Sequence, residues 1–264
     1  MSGNQSLERG LAVLDLLDRA SAPMGVREIA RAVALSPTIV QRLANSLARA
    51  GYLEQVAEKG KYKLGYRAML LGGAMMAEDR LMGIARTELQ RLADAHFLNG
   101  YLGVRREAHI IYLLSVQSSG PVTVRATVGA RINAHSTALG KASIAELPVA
   151  EVKAIVGRAP YEQNTPNTIT QWTVLAAELE RVRASGYAVS AEENISGIAL
   201  YGAVVRDATG KAVAALSVAS LASEQRAARS PGAIQLVLDA AHRCSMALGY
   251  RGAAIKVPSP RRAA

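Results

Sequence analysis

The sequence contains very little cysteine and few large aromatic side chains. Its single cysteine, Cys244, excludes an internal disulfide. With one Phe and one Trp in 264 residues, a single-stranded nucleic-acid platform of stacked aromatic rings is not expected. No apolar run of about 18 residues occurs, and the opening MSGNQSLERG lacks the apolar segment of a secretory signal. We therefore expect a cytoplasmic protein with no membrane partner.

Metal-binding and catalytic signatures are also missing. The four histidines are His96, His109, His135 and His242. None forms a Cys/His or Glu/His pair at the spacing of metal ligands. Gly140-Lys141 resembles the end of a P-loop motif. However, His135 stands where the motif has its first glycine, and Ala142 stands where it has Ser or Thr. Glu192 and Glu193 are adjacent on an expected strand, so their side chains point to opposite faces. We expect no metal, no cofactor and no enzymatic activity.

Composition favours a folded protein with a polyanionic partner. Hydrophobic residues make up 50% of the chain and charged residues 20%, which is typical of a globular protein. The formal net charge is +10, and the pI is about 10.0. The basic excess is modest in residues 1–66, where nine Lys/Arg face six Asp/Glu, and strong in residues 243–264, which hold five Lys/Arg and no acid. A nucleic-acid function must therefore rest on a motif rather than on bulk charge.

The motif is the segment Gly25–Glu54, which predicts two helices joined by a tight turn. Ser36 is a good N-cap, Pro37 suits the first helical position, and Gly51 is a typical stop. One side of the second helix is apolar. The other side is polar and free of acid, with Thr38, Gln41, Arg42, Asn45 and Arg49. This pattern is typical of a helix-turn-helix, although a helical hairpin with a solvated outer face explains it equally well.

A basic hairpin follows the two predicted helices, and it favours DNA as the partner. EQVAEKGKYKLG contains two short extended runs around Lys59-Gly60. Lys59, Lys61 and Lys63 alternate, so they share one face of a strand, as in a wing that contacts phosphates. A solvated edge strand is the alternative. Together with a helix at Leu7–Ala20, whose leucines at positions 7, 11, 14 and 17 can face a core, the pattern predicts a winged helix-turn-helix over residues 1–65.

The rest of the chain predicts a second, α+β domain with an antiparallel sheet. Residues 66–80 are rich in Met, Ala and Gly and predict a linker helix. We expect this helix also to dimerise through Met69, Leu70, Met75 and Met76. Packing of the helix on its own domain explains the composition nearly as well. A domain over residues 81–250 then begins with a helix at Leu81–Phe97 and ends with one at Pro231–Leu248, and residues 251–264 form a basic tail. Between these helices we expect strands in YLGVRR, HIIYLLSVQ, VTVRATV, YAVSAEE, GIALYGAVVRD and KAVAALSVAS. Further helices are expected at Ser136–Ala145, at Val149–Val156, and from a Thr170 cap to Ala184.

The segment Ala130–Ala142 predicts a ligand site. It combines a strand end with a helix that Thr137 can cap, which leaves the backbone N–H groups of Ala138 and Leu139 without helical partners. Such a helix start can bind a carboxylate. The alternative is a helix whose cap is satisfied by its own threonine.

Taken together, Ser6–Gly249 resembles the IclR family of bacterial transcription regulators. The resemblance is carried by SLERGLAVLDLL, SPTIVQRLANSLARAGYLE, GARINAHSTALGKA, PNTIT and AALSVAS. It implies a winged helix-turn-helix, a linker helix and a GAF-like α/β effector domain. It also implies dimers, often paired into tetramers, that bind palindromic operators beside catabolic operons.

Some positions match the family pattern and others depart from it. In the second helix Thr38, Val40, Arg42, Leu43 and Leu47 match. Ile39 stands where Thr is common and Gln41 where His or Tyr is common, so the operator sequence does not transfer. In the effector pocket Ala138, Leu139 and Ser217 match positions that bind small acids. Ser190 replaces a typical Asp, Leu200 a Cys and Ala219 a Ser, which makes the pocket less polar. A larger and more apolar acid, such as an aromatic carboxylate, fits better than a glyoxylate-like one.

We therefore predict a ligand-responsive transcriptional regulator that binds double-stranded DNA. The residues expected at DNA are Arg27, Ser36, Thr38, Gln41, Arg42, Asn45, Lys59 and Lys61. Those expected at the organic-acid effector are Val124, Ile132, Thr137, Ala138, Leu139, Ser190, Ile198, Leu200, Ser217 and Ala219. The alternatives are an enzyme with a GAF-like domain and an RNA-binding module, and neither explains the wing.

Overall fold

The computed structural model describes residues 4–56, 60–71, 79–106, 109–120, 123–224 and 230–256. The chain divides into two compact units, Met1–Asp79 and Arg80–Ala264. Within the described ranges, none of the helices combines the length and the apolar character that crossing a bilayer requires.

The first unit has the predicted winged-helix architecture. Its helices are α1 (Gln5–Arg19), α2 (Val26–Ala32) and α3 (Pro37–Arg49), and its strands β1 (Leu53–Val56) and β2 (Lys61–Leu64) pair antiparallel. Met24 and Tyr62 exchange two backbone hydrogen bonds of 2.9 and 2.8 Å, so the segment before α2 joins the hairpin through an isolated β-bridge. The wing is therefore joined to the helices by backbone pairing as well as by side chains.

The core of the first unit confirms the inward face of α3 and corrects that of α1. Val13, Ile29, Val40 and Ala44 are fully or almost fully buried together with Tyr62. The prediction that the leucine series of α1 faces the core is wrong at its start, because Leu7 is 62% and Leu11 is 52% exposed. The helix buries Gly10, Val13 and Leu17 instead. Both stripes have helical spacing, so periodicity alone does not choose between them.

The predicted linker helix, residues 66–80, is described only in part, because residues 72–78 lie outside the described ranges. Residues 66–71 are helical, Asp79 is not, and Arg80 is already the first residue of the next helix, α4 (Arg80–His96). Met69 and Leu70 are exposed on the helical part. Met75 and Met76 lie outside the described residues.

The second unit is built on one antiparallel sheet. Its strands are β3 (Asn99–Arg106), β4 (His109–Val116), β5 (Ala188–Ala191), β6 (Ile198–Arg206) and β7 (Ala212–Leu221), in the spatial order β4-β3-β7-β6-β5. The helices after α4 are α5 (Ala138–Ile144), α6 (Val149–Val156), α7 (Trp172–Ser185) and α8 (Ser230–Ala247), with a short helical segment at Ala222–Glu224. This confirms the α+β class.

Helices cover both faces of the sheet. α4 and α8 pack on one face in a cluster that includes Tyr201 and Ala203 of β6. α5, α6 and α7 belong to the opposite cluster, which includes Ile198 and Leu200 of the same strand. Because both faces are covered, β6 is buried along most of its length rather than alternating between buried and exposed.

Two local predictions in the second unit are wrong. Residues 123–128 of VTVRATV form no strand. The chain instead passes β4 as a loop, where the Ile132 N–H donates to the Ile110 carbonyl at 2.8 Å. The expected Thr170 cap is also displaced, because α7 begins at Trp172 and Gln171 is its N-cap. β-branched composition alone did not distinguish a strand from a loop held against one.

Candidate nucleic-acid interface and ligand pocket

The ends of α3 follow the sequence signals. Ser36 Oγ accepts a hydrogen bond from the Ile39 N–H at 3.3 Å, and Pro37 occupies the first helical turn, where an N–H has no helical acceptor. Gly51, just past the helix, has φ of +81°, a conformation that favours glycine. The outward face of α3 is therefore held in a defined position on the unit.

That outward face is polar and carries no acid. Thr38, Gln41, Arg42 and Asn45 are all exposed. Among the described residues, no carboxylate lies within ion-pair distance of Arg42. Arg27, near the start of α2, and Ser36, the N-cap of α3, are also exposed. The predicted DNA-facing residues of the first unit are thus exposed or partly exposed, apart from Lys59, which lies outside the described residues.

Two of these side chains are already hydrogen-bonded to the wing. Gln41 Nε2 donates to Asn45 Oδ1 at 2.9 Å and to the Tyr62 hydroxyl at 3.0 Å. The Tyr62 hydroxyl donates to Asn45 Oδ1 at 3.2 Å. We call these three residues the amide–tyrosine triad. No pattern in the sequence pointed to Tyr62, because only the fold brings β2 beside α3.

The wing lysines have carboxylate neighbours. Lys61 Nζ lies 3.4 Å from Glu28 Oε2, and Lys63 Nζ lies 3.3 Å from Glu54 Oε1 on the paired strand. The Gly25 N–H, followed by Lys61, lowers the pKa of the Glu28 carboxyl below its usual value. These pairs are exposed, and exposed pairs add little stability. A phosphate can therefore replace either carboxylate at small cost.

In the second unit a cavity of about 230 Å³ lies beside the start of α5. Its apolar lining includes Tyr101, Tyr112, Val124, Ile132 and Leu200. Its polar lining includes Arg125, Arg131, Asn133, Thr137 and Asn194. Burial raises the pKa of the Tyr112 phenol, and the Tyr101 hydroxyl donates to the Val124 carbonyl at 2.6 Å, so both phenols stay neutral at physiological pH. The cavity thus combines an aromatic wall with two cationic groups.

The structure separates the predicted effector residues into two sets. Val124, Ile132, Thr137 and Leu200 line the cavity. The others lie buried beneath or beside it: Ala138, Leu139, Ser190, Ile198, Ser217 and Ala219. Ser190 Oγ donates to the Ser136 carbonyl at 2.7 Å, so this hydroxyl is engaged within the protein.

The start of α5 packs tightly against β6. A Cβ atom on Gly202 would lie 2.6 Å from the Ala138 carbonyl oxygen and 3.1 Å from the Leu139 nitrogen. Thr137 Oγ1 accepts from the Gly140 N–H at 3.0 Å, as its predicted capping role requires. The donors that the sequence assigned to an anion, Ala138 and Leu139, are therefore on the sheet side of the helix start and do not line the cavity.

A buried charge cluster below the cavity was missed by the sequence analysis. Lys141 is fully buried, with Nζ 2.7 Å from Glu193 Oε1 and 3.2 Å from Glu178 Oε1. Arg181 also binds Glu178, at 2.7 Å. Burial raises the pKa of Glu193, and its Oε2 atom is buried without a hydrogen-bond donor among the described residues. Asn194, the next residue, lines the cavity, so the cluster ties the cavity wall to α5.

The two units together define a class of protein. A winged helix-turn-helix with an accessible, acid-free helix face is a DNA-binding unit. A separate α+β unit with a mixed apolar and cationic cavity is suited to sensing a small molecule. Among the described residues no group of three or more His, Cys, Asp or Glu is placed to hold a metal ion.

Comparison with known proteins gives the family. Residues 6–57 match the IclR helix-turn-helix domain, and residues 74–246 match the C-terminal domain described as bacterial transcriptional regulator IclR. The chain belongs to the IclR family of transcriptional regulators, which confirms the resemblance found in the sequence. Its C-terminal unit is the effector-binding domain of that family.

Individual relatives align with almost the whole chain. XynR of Escherichia coli K12, an HTH-type transcriptional regulator, is 28% identical over 246 residues, covering 93% of this chain and 98% of that protein. The HTH-type transcriptional repressor AllR of Klebsiella pneumoniae is 27% identical over 249 residues, covering 94% and 92%. These relatives are named as regulators, in keeping with a function that is not enzymatic.

Solved structures show the same fold. IclR of Thermotoga maritima aligns with a TM-score of 0.75 at 26% identity, covering 93% of this chain and 99% of that one. An IclR homolog of Microbacterium hydrocarbonoxydans, solved in complex with 4-hydroxybenzoate, aligns with a TM-score of 0.82 at 21% identity, covering 92% and 99%.

Proposed function

We propose that the protein is a dimeric regulator that binds a palindromic operator and responds to an organic carboxylate, with an aromatic acid as the favoured effector. The observation that carries the DNA-binding part is the outward face of α3, where Thr38 and Arg42 are exposed and unopposed by any acid on the helix. A helix of this kind fits the major groove, where arginine can bond guanine at two atoms. Because the target is chromosomal DNA of a bacterium, the protein works in the cytoplasm.

The phosphate contacts are assigned to the flanks of α3. We assign them to Arg27 on α2, Ser36 at the start of α3 and Lys61 on the wing, and the sequence adds Lys59 to the wing. Ser36 Oγ accepts from the Ile39 N–H, so its own hydrogen stays free for a phosphate. These contacts fix the register of the helix on the duplex but carry no sequence information.

The DNA-binding proposal is tested by competition. Full-length protein is titrated onto the labelled region upstream of its own gene, with unlabelled upstream DNA or unrelated DNA of equal length as competitor. We expect only the upstream DNA to displace the label at low concentration. Equal displacement by both competitors would show binding without sequence preference and would contradict the proposal.

The dimer is supported by exposed apolar side chains on the first unit. Leu7 and Leu11 on α1 are 62% and 52% exposed, and Met69 on the 66–71 helix is 61% exposed. Leu7 and Leu11 are four residues apart, so they form one stripe on the helix. We assign this surface to a second copy of the chain, because a two-fold operator requires two recognition helices in one assembly. Pairing of dimers into tetramers is a further step of the same proposal.

The dimer is tested with Leu11→Glu, which places a charge in the proposed contact without changing the buried face of α1. We expect sedimentation equilibrium to give a dimer or tetramer for wild type and a smaller species for the variant. Gln5→Glu is the control, because it adds the same charge at an exposed position on another side of the same helix, and it should behave as wild type. A wild-type monomer of 27.8 kDa at micromolar concentration would overturn the assignment.

The effector is assigned to the cavity beside α5. An apolar cavity of ~150 Å³ is enough for benzene, so about 230 Å³ accommodates an aromatic ring with a carboxylate. Tyr101, Tyr112 and Leu200 provide the wall for the ring. Arg125 and Arg131 line the same cavity, and no carboxylate among the described residues pairs with either of them. We therefore assign the effector carboxylate to these arginines in preference to the helix-start N–H groups of Ala138 and Leu139.

A thermal-shift and calorimetry screen tests this assignment. Benzoate and 4-hydroxybenzoate are compared with glyoxylate and with aliphatic acids of equal charge. We expect an aromatic acid to stabilise wild type and to bind Arg131→Gln about tenfold or more weakly, as loss of a charged hydrogen bond implies. Arg158→Gln is the control, because Arg158 is exposed nearby but does not line this cavity. Unchanged binding to Arg131→Gln and to Arg125→Gln would remove the carboxylate from the arginines.

A further inference from the structure

The hydrogen bonds of the amide–tyrosine triad limit what Gln41 and Asn45, two of the residues expected at DNA, can do there. An amide NH₂ group has two hydrogens, and Gln41 Nε2 uses both, toward Asn45 Oδ1 at 2.9 Å and the Tyr62 hydroxyl at 3.0 Å. An amide oxygen accepts at two positions, and Asn45 Oδ1 already accepts from Gln41 and from Tyr62 at 3.2 Å. Each residue therefore has one of its two polar ends fully occupied.

Direct reading of adenine needs both ends of the amide at once. The side-chain oxygen accepts from adenine N6 while the side-chain NH₂ donates to adenine N7. Gln41 has no hydrogen left for N7, and Asn45 has no acceptor position left for N6. Either residue could read adenine in this way only after the triad is broken and Tyr62, which is 2% exposed, loses its partners.

We propose that Gln41, Asn45 and Tyr62 act as a brace that fixes the wing to α3, and that Arg42 and Thr38 determine operator specificity. This inference rests on the proposed DNA binding. Tyr62 lies between Lys61 and Lys63 on β2. The hydrogen bond from Gln41 on α3 to the Tyr62 hydroxyl therefore fixes the position of both lysines relative to α3. The backbone of Tyr62 is also paired with that of Met24, so both its side chain and its backbone are bonded to the helical part of the unit. In this proposal Gln41 and Asn45 are positioning residues and do not read bases.

The brace can be tested without DNA. Tyr62→Phe keeps the buried ring and removes only the hydroxyl. Tyr52→Phe, at a half-buried tyrosine of the same unit, is the matched control. We expect amide hydrogen exchange in Lys61–Leu64 to be faster in Tyr62→Phe than in wild type or Tyr52→Phe. Equal exchange in all three proteins would overturn the brace, whatever the protein does with DNA.

Operator specificity is tested by binding full-length variants to a library in which each base pair of the upstream site is varied. Tyr62→Phe, Gln41→Ala and Asn45→Ala should each weaken every duplex about two- to tenfold and leave the ranking of bases unchanged. The double variant Tyr62→Phe/Asn45→Ala should be no weaker than Asn45→Ala, because the three groups act as one unit. Arg42→Ala should instead lose about tenfold or more of its preference at one base pair.

Two results distinguish the ways in which the inference can fail. If Asn45→Ala or Gln41→Ala erases a preference for adenine that Tyr62→Phe retains, these amides read bases and the inference is wrong. If wild type shows no preference anywhere in the library, the proposed DNA function fails, and the hydrogen-exchange result still decides the brace.

Discussion

Replacing the buried Lys141 is the sharpest test of how the second unit is held together. Lys141 has no exposed surface and lies 2.7 Å from Glu193 and 3.2 Å from Glu178. Lys141→Met keeps a side chain of similar length and removes the charge. Glu178 retains Arg181 as a partner, so the cost falls mainly on Glu193. Breaking a buried ion pair by removing one partner costs about 3–5 kcal/mol.

The loss should depend on pH in a defined direction. Burial already raises the pKa of Glu193, and Lys141 opposes that effect, so the variant raises this pKa further. A carboxyl with a raised pKa in the folded state stabilises the fold when it is protonated. That contribution is complete below the pKa of the unfolded chain and disappears as the pH rises through the folded value. The difference between variant and wild type should therefore shrink as the pH falls from about 7 toward about 5.

Urea unfolding monitored through Trp172 provides the assay. Trp172 is the only tryptophan in the chain and begins α7, the helix that carries Glu178. At about 1–3 kcal/mol per molar urea, the expected loss lowers the midpoint by about 1 M or more. Lys211→Met, at an exposed lysine, is the control and should leave the urea midpoint unchanged. Lys141→Met/Glu193→Leu should recover much of the stability. A loss below about 1 kcal/mol, or a loss independent of pH, would refute the reasoning.

Two other substitutions follow from the structure. Lys61→Ala should weaken every duplex alike and reduce the slope of log affinity against log salt by about one, as measured by anisotropy titrations at several salt concentrations; an unchanged slope would remove Lys61 from the phosphate contacts. Gly202→Ala should destabilise the second unit by about 1–3 kcal/mol in urea, because its Cβ would lie 2.6 Å from the Ala138 carbonyl oxygen. Gly83→Ala, where a Cβ meets no atom within 4 Å, should be neutral or stabilising, and equal effects at both glycines would contradict the packing argument.

The first unit could be predicted closely because its signals are local. The Ser36 cap, Pro37 and Gly51 placed α3 correctly, and the lysine alternation placed β2. The prediction failed on α1, where two stripes of side chains have the same helical spacing and the wrong one was assigned to the core. On α1 the leucines at 7 and 11 are exposed while Gly10 and Val13 are buried. Helical spacing identifies a stripe but does not say whether it faces its own core or another surface.

The second unit could be predicted in outline but not at its cavity. Strand and helix order followed from composition and turns, and Val149–Val156 was placed to the residue. Tyr101 and Tyr112 line the same cavity because of strand register, and Lys141 meets Glu193 across 52 positions of sequence. No pattern along the chain reports such long-range pairs. The same limit hid the contact of Tyr62 with Gln41 and Asn45.

In the proposed regulator, a small acid bound to the second unit changes sequence-specific DNA binding by the first. The most direct measurement is an anisotropy titration of the full-length protein with its own upstream duplex and with a scrambled duplex, at one salt concentration, with and without an acid that stabilises it in the thermal screen. We predict that the upstream duplex binds about 10³-fold or more tightly than the scrambled one. We also predict that the acid changes this affinity by about 5- to 150-fold, since an effector acts only through different affinities for the two states. Equal affinity for the two duplexes, or an upstream affinity that a bound acid does not change, would contradict the account.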